Sequence, residues 1–137
     1  MTCTFFGHKD TPEKEKEQLR KVLLNLIIEN NVDIFYVGNN GNFDFMVQNI
    51  LDKLKNEYPI RYYIVLAYMP TAENNFSEHT ILPETIENVP KRFAISYRNN
   101  RMIEQSDYVV TYVRRSFGGA AQFEAQAKRK HKIIIAL

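Results

Sequence analysis

The chain has 137 residues, 45% hydrophobic and 25% charged, with eight Tyr and nine Phe, the size and composition of one folded domain with its own core, which excludes a disordered chain. The net charge of +2 conceals an asymmetry: residues 1–90 carry 8 basic and 13 acidic side chains, residues 91–137 carry 10 and 3. A basic C-terminal third suits either anion or nucleic-acid contact or solvated helix faces.

Lone Cys3 excludes an internal disulfide, and no Cys or His cluster stands at metal-ligand spacing. A reducing compartment follows as the expectation, with Cys3 a small buried apolar residue and no metal or cofactor called for. The longest apolar runs, such as YYIVLAYM at 62–69, fall well short of the roughly 20 residues of a membrane span. MTCTFFGHKD is too short and interrupted for a signal peptide. A cytoplasmic location without membrane contact is expected.

The first strand is TCTFF (2–6), followed by the loop GHKD. Thr11 is placed as the cap of a helix with Pro12 at its first position, Glu13 in its first turn, and Leu19, Val22, Leu23, Leu26 and Ile27 on one face. DIFYV (33–37) is a second strand, closed by GNNGNFD. Met46, Val47, Ile50, Leu51 and Leu54 mark the second helix, and RYYIVLA (61–67) the third strand. A loop over 68–90, holding Pro70, Pro83 and Pro90, is long enough to be a candidate lid. Lys91 to Gln105 form a third helix, DYVVTYV (107–113) a fourth strand, Gly119 to Lys130 a fourth helix and KIIIAL (132–137) a fifth strand.

Alternating strands and helices, with strands that barely alternate in polarity, indicate an α/β fold whose parallel sheet is covered on both faces. Right-handed crossovers give a Rossmann-like three-layer sandwich, a five-stranded parallel sheet in order 3-2-1-4-5. Ligands in such sheets bind where the winding reverses, here between strands one and four. All five glycines, Gly7, Gly38, Gly41, Gly118 and Gly119, fall in loops at that rim. Glycine lets backbone approach a phosphate, and the free N–H groups of a following helix attract it. Neither GxGxxG nor GxxxxGK[ST] occurs, so neither a standard dehydrogenase nor a standard ATPase is indicated.

The run RNNRMIEQSDYVVTYV together with FGGAAQFEAQAKRKHKIIIAL resembles the SLOG superfamily, nucleotide-binding Rossmann-like proteins that include the "lonely guy" cytokinin-activating phosphoribohydrolases. The chain is similar in particular to small stand-alone bacterial and phage members that carry Gly-His-Arg after the first strand, here Gly7-His8-Lys9. In the phosphoribohydrolases an Arg precedes an Asp by nine positions with a Met between, matched by Arg98, Met102 and Asp107. Their PGGxGTxxE motif is set on Phe117 to Glu124. The resemblance implies that Arg98 and Glu124 hold the positions of the catalytic Arg and Glu, and that copies of the chain pair as a homodimer or higher oligomer beside the pocket. Phe93, Tyr97 and Met102 are the candidates for such an interface or else for core. The departures are Phe117 for proline, Ala121 for the third glycine, Gln122 for the phosphate-contacting threonine, and extra residues in VRRSF, whose Arg114 and Arg115 can supply the missing charge.

Glu124 offers the carboxylate that N-glycosidic hydrolysis needs, or simply favours its helix N-terminus; Arg98 can hold a phosphate or a leaving base, or be solvated. His8 at the crevice is either a ligand partner or structural. Asn39, Asn40 and Asn42 suit hydroxyl or base recognition, or turn geometry. Asp44 can bond a ribose hydroxyl or begin its helix. Ala120 joins Gly118 and Gly119 in the cradle, and Tyr68, Phe76 and His79 can stack on a base or anchor the long loop. The expected function is binding of a nucleotide-like small molecule, a phosphorylated ribosyl compound of the NAD or ADP-ribose type, as a sensor or sequestering module. Hydrolysis of nucleoside 5′-monophosphates is the second expectation, and nucleic-acid binding the third and weakest.

Overall fold

The computed structural model describes residues 1–69 and 78–137. β1 (Thr2–Gly7) leads through a short helical turn (Glu13–Glu15) into α1 (Lys16–Glu29), then β2 (Ile34–Val37), α2 (Asn42–Leu54) and β3 (Arg61–Val65). β4 (Thr80–Ile81) follows, with helical turns at Ile86–Asn88 and Lys91–Phe93 before α3 (Ala94–Glu104). β5 (Tyr108–Tyr112), α4 (Gly119–Arg129) and β6 (Ile133–Ala136) complete the described chain. Every strand pairing is parallel.

β1 lies inside the sheet, so its side chains are buried on both faces. Cys3 and Phe5 pack with Leu19, Leu23 and Leu26 of α1 and with the apolar face of α2. Phe6 points the other way, to Met102 and Ile103 of α3 and Phe123 and Ala127 of α4. Two helices therefore cover each face, the three layers expected for strands without polar alternation. Burial pushes the Cys3 thiol far above its ordinary pKa, which leaves it an inert core residue.

Among the described residues the sheet has six strands in order β4-β3-β2-β1-β5-β6, not five in order 3-2-1-4-5. The five expected strands keep their sequence, and β4 is added outside β3. It lies within the segment expected to be a loop: Ile64 N–H donates to His79 O at 2.6 Å and Leu66 N–H to Ile81 O at 2.9 Å. A two-residue strand between polar residues and Pro83 has no periodicity to betray it; only the open edge of β3 selects it. Thr11 is a second correction. It makes no side-chain cap, and its hydroxyl donates instead to His8 O at 2.6 Å, closing the loop after β1, while Pro12 precedes the first helical turn. Among the described residues no helix is long and apolar enough to cross a membrane.

Candidate functional site

The winding reverses between β1 and β5, and the loops that leave the carboxyl ends of these strands and of β2 enclose a cavity of about 480 Å³. Of the residues expected at a site, Gly7, His8, Gly38, Asp44 and Arg98 line it, as do Arg115, Gly118, Gly119 and Ala120. Asn39, Gly41, Arg114 and Glu124 stand outside its lining.

Arg98 is the deepest charge. It sits on the inner face of α3, one turn from Ala94 and Met102, and is only 2% exposed. Its Nε donates to Asn99 Oδ1 at 3.0 Å, and its Nη1 donates to Asn39 Oδ1 at 2.9 Å and to Val65 O at 3.3 Å. Asn39 thus serves the site by holding Arg98. No group among the described residues accepts from Nη2. Burial lowers the guanidinium pKa, and the nearby Asp44 acts against that shift.

Asp44, in the first turn of α2, accepts from Asn40 N–H through Oδ2 at 2.9 Å. Burial raises its pKa, opposed by that bond and by Arg98. Gly38 separates the two charges: a Cβ there would stand 2.8 Å from Asp44 Oδ2 and 3.4 Å from Arg98 Cζ. Gln48 Nε2 donates to Gly38 O at 2.8 Å and fixes the end of β2.

His8 joins the two walls of the crevice. Its Nε2 accepts from Arg114 N–H at 2.8 Å, so that nitrogen carries no proton, and the ring meets Tyr112 edge-on. Burial, then Arg115, lowers its pKa, with Asp10 acting the other way. The Arg114 side chain turns away, donating to Leu137 O at 2.7 Å with its guanidinium 4.3 Å from the Tyr112 ring centre. Arg115 pairs with Asp10 across the mouth, which holds the Asp10 carboxyl below its usual range.

Gly118 precedes α4 at φ 92°, in the left-handed half of the map. A Cβ on Gly118 or Gly119 would meet nothing within 4 Å, and the Gly119 N–H has no acceptor among the described residues. Phe117 stands at the rim, 70% exposed.

Glu124 lies one turn further along α4, where its Oε2 accepts from Thr111 Oγ1 at 2.5 Å and its Oε1 approaches Lys128 Nζ at 3.5 Å. The motif spacing also falls short there: with Gly118 and Gly119 on the two glycines of PGGxGTxxE, its ninth position is Ala125, not Glu124.

The structure adds Asp10, Asn99 and Phe117 to the cavity wall. Asp10 follows Gly7-His8-Lys9 directly, and Asn99 adjoins Arg98, so adjacency was their only signal. Tyr68 and His79 do not line the cavity; His79 stacks on Tyr62, ring centres 4.4 Å apart. Phe76 lies outside the described residues. Of the interface candidates, Met102 is core, the Tyr97 hydroxyl donates to Glu84 O at 2.8 Å, and Phe93 is 52% exposed.

No family model matches this chain, and no curated protein sequence does. Among solved structures, it is similar to DNA processing protein A (DprA) from Streptococcus pneumoniae, with 15% identity and a TM-score of 0.70 over 98% of this chain and 49% of that one. The likeness is one of fold, a parallel sheet clad by helices, and the chain spans about half the length of that protein.

Proposed function

We propose that this chain is a SLOG-type module that binds a phosphorylated ribosyl compound, of the AMP, ADP-ribose or NAD class, in the cavity between β1 and β5. The observation that carries this reading is Gly119. A glycine at a helix start is ordinarily explained by a positive φ or by a close neighbour; among the described residues Gly119 has neither, and its N–H has no acceptor. An anion resting on the bare backbone accounts for the glycine and takes up an N–H of the kind that the first turn of any helix leaves free. Buried Arg98, whose Nη2 has no acceptor among the described residues, adds fixed positive charge to the same cavity.

Binding without rapid turnover fits the chain better than hydrolysis. Glu124, the carboxylate a phosphoribohydrolase would use, is bonded to Thr111 and lies outside the cavity lining. A sensor or a sequestering protein needs no such group. The DNA-processing activity named for the fold neighbour favours a second reading, in which the anion is a nucleic-acid backbone.

Thermal unfolding against AMP, ADP-ribose, NAD and a single-stranded oligodeoxynucleotide separates these readings. A bound small molecule at a hundred times its dissociation constant raises stability by about 2.7 kcal/mol. Stabilisation by the oligonucleotide alone would establish the second reading, and no stabilisation by any of them would overturn both.

A further inference from the structure

The floor and the mouth of the cavity differ in charge. At the mouth Arg115 is already paired with Asp10, and the unopposed positive charge is that of the α4 N-terminus, a setting for an anion. At the floor, a carboxylate and a guanidinium flank the bare backbone of Gly38, close enough that one added Cβ would crowd the first and touch the second. Each is tied to neutral protein groups, Asp44 Oδ2 to Asn40 N–H and Arg98 Nη1 to Asn39 Oδ1 and Val65 O. Asp44 Oδ1 and Arg98 Nη2 keep no protein partner among the described residues.

The two groups that flank Gly38 thus each keep one end open, an acceptor on Asp44 and a donor on Arg98, and together they suit a group that both donates and accepts. A phosphate only accepts and is repelled by Asp44, whereas each hydroxyl of a sugar can donate to the carboxylate and accept from the guanidinium. We propose that Asp44 and Arg98 read the cis-diol of a ribose, so that the site takes ribosyl compounds with both hydroxyls free and rejects their deoxy counterparts. The inference rests on the cavity being a phosphorylated-ribosyl site, and adds which end of the ligand lies deepest. The sugar sits at the Gly38 floor and the phosphate at Gly119. DNA, which lacks the diol, is excluded from the floor.

Calorimetric titration of the unaltered chain with AMP, 2′,3′-dideoxy-AMP and ribose 5-phosphate tests this. The dideoxy compound is expected to bind roughly ten- to hundredfold more weakly than AMP, the loss of hydrogen bonds to charged groups. Ribose 5-phosphate is expected to retain measurable binding. Asp44→Asn should weaken AMP by a similar factor and leave the dideoxy compound unchanged, a coupling that general damage to the fold would not produce. Equal affinities for AMP and its dideoxy form would overturn the diol reading while leaving the nucleotide site standing. So would dideoxy binding that outlasts the complete loss of ribose 5-phosphate, which would put the base on the floor. No binding by any of the three would bring down the site itself, and the diol reading with it.

Discussion

The β2–α2 and β5–α4 corners are built alike, yet only one is filled from within. Each ends a strand near the crevice and starts a helix behind a glycine of nearly the same conformation, Gly41 at φ 115°, ψ −175° and Gly118 at φ 92°, ψ 178°. At the first corner protein occupies the space: a Cβ on Gly41 would lie 2.5 Å from Lys9 Cα, and Asn42 N–H donates to Lys9 O at 2.9 Å. At the second the same geometry faces open space, and the residue after the turn is a further glycine, Gly119, where α2 has Asn42. Packing explains the glycines of the first corner. Packing does not explain the second of the two at the other, where the proposed ligand would rest.

The largest test of that contrast is on folding. Gly41→Ala combines a strained φ with a backbone clash, and Gly7→Ala drives a Cβ to 2.2 Å from the Phe43 ring. Each is expected to destabilise the chain by about 1–3 kcal/mol, read by denaturant unfolding. Unchanged midpoints would mean that the first corner is as open as the second. Next comes the charge shared by the two corners. Arg98→Met should weaken AMP binding by about 1.5–3 kcal/mol in calorimetry; full affinity in this variant would remove Arg98 from the site.

Gly119→Ala sharpens the comparison, because fold and function should part. Its stability is expected to stay level or rise by up to about 1 kcal/mol, while AMP affinity falls about tenfold, or 1.4 kcal/mol. Affinity equal to that of the unaltered chain would reduce the paired glycines to a corner. A smaller effect concerns His8, which binds the β1 loop to the β5–α4 corner. Its pKa is lowered by burial and Arg115, so the folded chain takes up that proton later than the unfolded one as pH falls. The stability it confers is whole above about pH 6.5 and is lost as pH drops through that value toward the folded pKa. His8→Gln should flatten this slope in urea midpoints taken across acidic pH, and an unaltered slope would show that other groups set it. Glu124→Gln, last, should leave AMP affinity where it was. Base release from AMP by the unaltered chain, lost in this variant, would move the reading to hydrolysis.

Periodicity and glycine placement fixed much of what was seen. Apolar strands alternating with amphipathic helices dictate a doubly covered parallel sheet, and the reversal of winding puts the loops after β1, β2 and β5 around one crevice. Those are local or topological consequences, so Gly7, Gly38, Gly118 and Gly119 were legible as its rim. Burial of Arg98 was not: an arginine on a helix reads as solvated until Asn39 and Val65 O, drawn from two other places in the chain, join its neighbour Asn99 around it. Nor could sequence spacing tell that Glu124 would be bonded to Thr111, or that Arg114 would turn its side chain outward while its N–H held His8. The strand β4 belongs with these, since two residues carry no period of their own and pair only because β3 offers an edge. What the chain determined by itself is each segment's preference, set by neighbours one to four residues away. Which side chains meet across the crevice, which glycines are filled and which are left bare depends on contacts between residues far apart in sequence, and only the folded packing decides those.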